Sequence, residues 1–173
     1  MSEIVNKVQQ SRLETVDLEK FIADVTVKEL DLKEFLFHGM ILKENEFREK
    51  TANHDWEQYR DSYVAVFCSS DAIIPKWAYM IIVSYVQEPA VDVLFGTRDD
   101  VIENVFKERL DKFDWSQYSD KFVLLKGCSK INVPPSIYMH ATKKLLPLVS
   151  KLMYGEACSN VPVFRKQRTP SGS

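Results

Sequence analysis

Glycine is scarce in this sequence, with five in 173 residues, and none of the five falls in a GxGxxG or GxxxxGK pattern. That excludes the glycine-rich loops that cradle dinucleotide or mononucleotide phosphates, and the absence of GxSxG and HExxH removes the hydrolase-elbow and zincin signatures. No apolar run approaches the about 18 residues of a membrane span, and the opening MSEIVNKVQQSRLETVD lacks the apolar core of a signal peptide. A cytoplasmic location is therefore expected. Cysteine is limited to three, an odd number, which in a reducing compartment argues against a disulfide framework and leaves buried filler, redox groups or metal ligands. Charge of one sign is also missing. Lys and Arg total 23 against 25 Asp and Glu, a formal charge of -2, so neither nucleic acid nor an anionic membrane is an expected partner.

What is present is an ordinary globular balance, 45% apolar and 28% charged, in a chain long enough for one well-packed core. The expected organisation is a single α/β domain over residues 35–165. Residues 1–34 form an N-terminal extension of a strand or two and a short helix packed on it, and 166–173 a disordered polar tail. YVAVF at 63–67, too short for a helix and rich in branched and aromatic residues, reads as a buried strand. VDVLFG at 91–96, Phe122 to Leu125 and VPVF near the end read as further strands. Trp77 to Val86 reads as a covered helix opened by Pro75, and Ile102, Val105, Phe106, Leu110 and Phe113 fall at helical spacing. Ile137, Ala141, Leu145, Leu148 and Leu152 predict one long helix, kinked by Pro147 and ended by Gly155.

Self-comparison is more informative than any single motif. Trp56 and Trp115 are 115 − 56 = 59 apart, and the same offset pairs Phe47 with Phe106, Pro75 with Pro134 and Tyr79-Met80 with Tyr138-Met139. Asp55, Gln58, Tyr59, Asp61 and Val64 meet identical residues at Asp114, Gln117, Tyr118, Asp120 and Val123. The expected fold is thus a layered sheet with helices, built from an internal repeat of about 60 residues, covering 36–88 and 94–147. The DW-x-QY-x-D segment is read mainly as structural, aromatics for burial and Asp and Gln for loop backbone. Cys68 and Cys128 are 60 apart, which one inserted and one deleted residue around Cys128 explain.

Each cysteine is followed by serine and, shortly after, by proline: CSSDAIIP, CSKINVP and CSNVP. A turn ahead of an actual or incipient helix favours thiolate, the form that binds soft metals and attacks electrophiles. If the repeats bring Cys68 and Cys128 to one carboxyl edge, and the long helix returns Cys158 beside them, three thiolates suit zinc or an iron-sulfur centre. Asp71 and Glu156 are the nearest candidates for a fourth ligand, with His38 and His140 more distant. The alternatives are a thiol-dependent persulfide or redox relay, in which a cysteine acts as nucleophile, and a purely structural interaction module. His54, His38 and His140 are scattered, as surface or hydrogen-bonded histidines are. A homo-oligomer is compatible with all three readings.

The blocks FCSSDAIIPKWAYM, LLKGCS and LMYGEACSNVPVF, with HDWEQY ahead of them, resemble domain-of-unknown-function family 2480, found mainly in Bacteroidota, from about Leu36 to Arg165. The family brings no established activity. Its genes often lie near those for iron-sulfur cluster assembly, so the resemblance implies an accessory role or partners there.

Overall fold

The computed structural model describes residues 12–127 and 130–167. In chain order it contains β1 (Leu13–Asp17), β2 (Val27–Asp31), α1 (Glu44–Ala52), β3 (Tyr63–Phe67), α2 (Lys76–Val86), β4 (Asp92–Phe95), α3 (Arg98–Lys112), β5 (Phe122–Lys126), α4 (Pro135–Leu145), β6 (Lys151–Glu156) and β7 (Ser159–Arg165). Short 3-10 turns follow β1 and β2 and precede β3 and β5. No helix among the described residues is long and apolar enough to cross a membrane.

The strands sort into two sheets, one ordered β2-β3-β4 and the other β1-β5-β6-β7, instead of the one sheet expected. The pairing is parallel throughout except for β7 on β6, and parallel neighbours need a crossover, which α1, α2 and α4 supply. Two compact units result, residues 24–105 and residues 1–23 with 106–173. The N-terminal stretch supplies an edge strand, β1 or β2, to each sheet.

In the unit of residues 24–105 the centre is β3, whose Val64, Ala65 and Val66 are buried, as a strand covered on both faces requires. Phe47 of α1 and Ala78, Ile82 and Val86 of α2 pack with Leu30, Leu32 and Phe35 into one apolar core. In the other unit β5 is the centre. Val123, Leu124 and Leu125 are buried there, as are Ile137, Ala141 and Leu145 of α4.

Both units use the same local devices. Asp31 and Asp17 end β2 and β1, and each carboxylate caps the following 3-10 turn, accepting from the Lys33 and the Glu19 N–H at 3.0 and 3.1 Å. Trp56 donates Nε1–H to the Thr51 carbonyl at 2.8 Å and stacks on Phe35 at 6.2 Å. Trp115 donates to the Leu110 carbonyl at 2.7 Å and stacks on Phe21 at 6.1 Å. Gln58 and Gln117 each donate to the carbonyl of the capping Asp three residues earlier at 2.7 Å. Asp61 and Asp120 share a left-handed φ, 57° and 58°, and their N–H groups bond the Pro89 and Leu148 carbonyls. The DW-x-QY-x-D residues therefore build the entry to β3 and β5.

The long helix expected through Leu152 is corrected. α4 ends at Leu145, and Lys151–Glu156 forms β6, parallel to β5. Leu146 is still helical, at φ -50° and ψ -43°, but Pro147 offers no N–H to continue the ladder, so the spacing of Leu148 and Leu152 continues a helical pattern without a helix. Gly155 sits inside β6 at φ 113°. The expected last strand is present as β7. Residues 168–173 of the expected tail lie outside the described residues.

Candidate functional site

Strand β3 ends at Phe67, so Cys68 is the first residue at the carboxyl edge of a parallel sheet, where α/β folds place their sites. The segment from Cys68 to Ile74 is irregular and α2 begins only at Lys76, so Cys68 does not cap a helix as its sequence context suggested. Its elbow is pinned by Asp31. The Asp31 carboxylate accepts from the Ser69 N–H at 3.0 Å and the Ser69 hydroxyl at 2.5 Å. Partial burial works to raise the Asp31 pKa, but the two Ser69 donors, the Lys33 N–H and the Lys33 charge prevail, and the carboxyl is held below its ordinary value. The Cys68 Sγ lies 3.3 Å from the Ser70 hydroxyl.

Cys68 is half-buried on the wall of an open cleft of about 380 Å³. Its lining includes apolar Ile74, Tyr79 and Phe95 and polar Ser70, Thr97 and Asp100. Tyr79 meets Phe95 edge-on at 5.6 Å. Its phenol is pushed above the ordinary range, first by burial and then by the neighbouring Cys68. Thr97 and Asp100 form a reciprocal cap at the start of α3: the Asp100 carboxylate accepts from the Thr97 N–H at 2.8 Å and its hydroxyl at 2.7 Å, which lowers its pKa. The positive end of α3 thus borders the cleft.

The matching place in the other unit is built differently. Strands β3 and β5 end 126 − 67 = 59 residues apart, and the residue that follows β5, as Cys68 follows β3, is Gly127. Cys128 stands opposite Ser69 in this count, which removes the need for an inserted residue. A side chain at Gly127 has no room, because a Cβ there would lie 2.3 Å from the Tyr138 hydroxyl. Tyr138 meets Tyr154 edge-on at 5.6 Å, the same arrangement as Tyr79 with Phe95.

Cys128 lies outside the described residues. Cys158 is exposed in the turn between β6 and β7, ahead of a strand and not of a helix. Among the candidate fourth ligands, Asp71 is exposed and lines a separate hollow of about 510 Å³ with Lys33, His38 and Ser70. Glu156 is paired with Lys126 at 3.2 Å. His38 is exposed at φ 49°, and His140 bonds Asp111 at 2.8 Å. Among the described residues no three His, Cys, Asp or Glu side chains gather as a metal cage needs.

Residues 2–166 match the family described as protein of unknown function (DUF2480). The chain belongs to that family. No curated protein and no solved structure matches it. The DUF2480 match takes in both sheets, and with them the cleft at Cys68 and the contrasting Gly127 position. Sequence reasoning found Cys68 but not Asp31, Phe95, Thr97 or Asp100. For Asp31 a signal existed: VDLEKF at 16–21 and LDLKEF at 30–35 are near-copies 14 residues apart, each with its Asp at a strand end.

Proposed function

We propose that this protein is a thiol-dependent sulfur relay whose working group is Cys68, on a framework of two copies of one β-turn-α-turn-β-α-β unit. The single observation that carries the reading is the Cys68 thiol on the wall of an open cleft at a sheet's carboxyl edge, where the other unit has a glycine and a phenol. The 59-residue spacing of equivalent helices, strands and left-handed aspartates supports the duplication, and the 14-residue spacing of VDLEKF and LDLKEF extends it to β1 and β2. A duplicated scaffold with a thiol on the cleft at Cys68 suits a division in which one unit reacts and the other supports.

The chemistry is a transfer of sulfane sulfur. The Cys68 thiolate attacks the terminal sulfur of a donor persulfide, R–S–SH. A new S–S bond forms at Cys68, the donor's S–S bond breaks, and the leaving thiolate takes up a proton, so no electrons are exchanged with an outside reagent. Cys68–S–SH then passes its outer sulfur to an acceptor thiolate by the same step. The product persulfide is anionic at neutral pH, and the Ser70 hydroxyl, 3.3 Å from the Cys68 Sγ, can donate to it. Asp31, through Ser69, holds the elbow in place. A cytoplasmic setting beside iron-sulfur cluster assembly, which consumes sulfane sulfur, fits this role.

Incubation of the reduced protein with glutathione persulfide under argon should add one sulfur to the Cys68 peptide, detected by mass spectrometry after trapping. Cys68→Ser should abolish it at that peptide. No added sulfur at Cys68, with Cys128 or Cys158 loaded instead, contradicts the relay at this cleft.

A further inference from the structure

Strand β4 is an edge. It pairs with β3 on one side, and among the described residues no strand lies on the other. The Gly96 N–H bonds the Val66 carbonyl at 3.0 Å. Residues alternate direction along a parallel strand, so Leu94 also faces β3, and Val93 and Phe95 aim their backbone groups away from it. The Val93 N–H is met by the neighbouring Asp92 carboxylate at 2.7 Å. Phe95 is 73% exposed at the mouth of the Cys68 cleft, and Ile73, on the loop leaving Cys68, is 91% exposed.

The strand in β4's position in the other unit, β6, shows what such an edge accepts. Strand β7 lies antiparallel on it, with Arg165 opposite Lys151, Phe164 opposite Leu152 and Val161 opposite Tyr154. Cys158 immediately precedes β7 at the carboxyl end of β6. Counting back 59 residues, Lys151, Leu152 and Tyr154 become Asp92, Val93 and Phe95. A strand of β7's pattern on β4 therefore sets its basic residue against an acid, where β6 sets Arg165 against Lys151. Its apolar residues face Val93 and Phe95. The residues in the places of Asn160 and Ser159 come to Gly96 and Thr97, which line the Cys68 cleft, and the leading residue, in the place of Cys158, follows just beyond Thr97.

We infer that β4's free edge docks an extended segment of a partner protein, antiparallel, with a cysteine at its leading end, alternating apolar residues and a closing Arg or Lys. Such addition of a strand to an open edge takes affinity from main-chain hydrogen bonds and specificity from alternate side chains. The inference rests on the relay reading and names its partner: the segment delivers the donor or acceptor sulfur to Cys68. A second copy of this chain is a poorer occupant, because its own β7 is already paired with β6.

The probe is a synthetic peptide of residues 157–166, ACSNVPVFRK, its thiol activated as the mixed disulfide with thionitrobenzoate, offered to the full-length protein. Attack by Cys68 forms the protein-peptide disulfide and releases yellow thionitrobenzoate, and peptide mapping assigns the cysteine. The rate at Cys68 should saturate with peptide concentration and exceed that of a scrambled peptide. Asp92→Lys should slow it by about fivefold or more, and a peptide with Glu in place of its Arg should recover the rate on that variant. Equal, non-saturating rates for native and scrambled peptides, or no effect of Asp92→Lys, overturn the docking while leaving the relay standing. Failure of Cys68 to react with either peptide or with a small disulfide removes the relay itself. A concentration-dependent dimer that Asp92→Lys abolishes in sedimentation gives the edge to a second copy and overturns the proposal.

Discussion

Phe47→Ala and Phe106→Ala should each lower the free energy of unfolding by about 3–5 kcal/mol, measured by urea titration. Both rings are fully buried, one in each unit. Phe47 meets Phe35 and Trp77 edge-on at 5.8 and 5.9 Å, so its loss removes two aromatic contacts as well as apolar burial. The void is bounded by residues held elsewhere: Trp77 and Ile82 belong to α2, and Phe35 is stacked on Trp56. Little collapse is available to relieve it. Phe95→Ala is the matched control, since a ring that is 73% exposed should cost no more than about 0.5 kcal/mol. Equal losses at Phe47 and Phe95 would contradict this account of the core.

Gly96→Ala should destabilise the protein by about 2–4 kcal/mol, the sum of a strained backbone and a lost helix cap. Gly96 has φ 131°, a region that L side chains rarely enter. An added Cβ would stand 2.8 Å from the Asp100 Cβ, and Asp100 is the residue that holds the Thr97 N–H and hydroxyl. Relief of the contact must therefore disturb the cap that starts α3 and forms one wall of the Cys68 cleft. Thermal unfolding reads the loss of stability, and amide exchange should rise first at the α3 N-terminus. Gly39, at φ 69° with only the flexible Lys33 side chain nearby, should accept asparagine with a far smaller change. A neutral Gly96→Ala would mean that the β4-α3 junction is not rigid.

These positions also show what a single sequence discloses. YVAVF read as a buried strand and is β3, because five branched and aromatic residues between turns carry their own local signal. The start of β6, through Leu152, read as helix because Leu148 and Leu152 extend the spacing set by Ile137, Ala141 and Leu145, and that spacing is blind to the open edge of β5 that takes a strand. The separation into two sheets depends on β1 reaching β5 across more than a hundred residues while β2 pairs with β3, a choice that no local pattern encodes. At the site, Cys68 was legible from its place after a strand. Tyr79, Phe95, Thr97 and Asp100 come from three further elements, and only the fold assembles them into one cleft. The likeness of the three Cys-Ser-Pro contexts did not predict like surroundings: Cys68 follows a strand at a cleft, and Cys158 lies in a hairpin turn.

The direct test of the account is the rate at which Cys68 is alkylated in native, anaerobically purified protein, read peptide by peptide with iodoacetamide, before and after treatment with a zinc and iron chelator. A relay thiol on an open cleft reacts in the native state at a rate that chelation leaves unchanged. If Cys68 is silent until the chelator is added, and Cys128 and Cys158 are uncovered with it, the three cysteines hold a metal and the relay is contradicted.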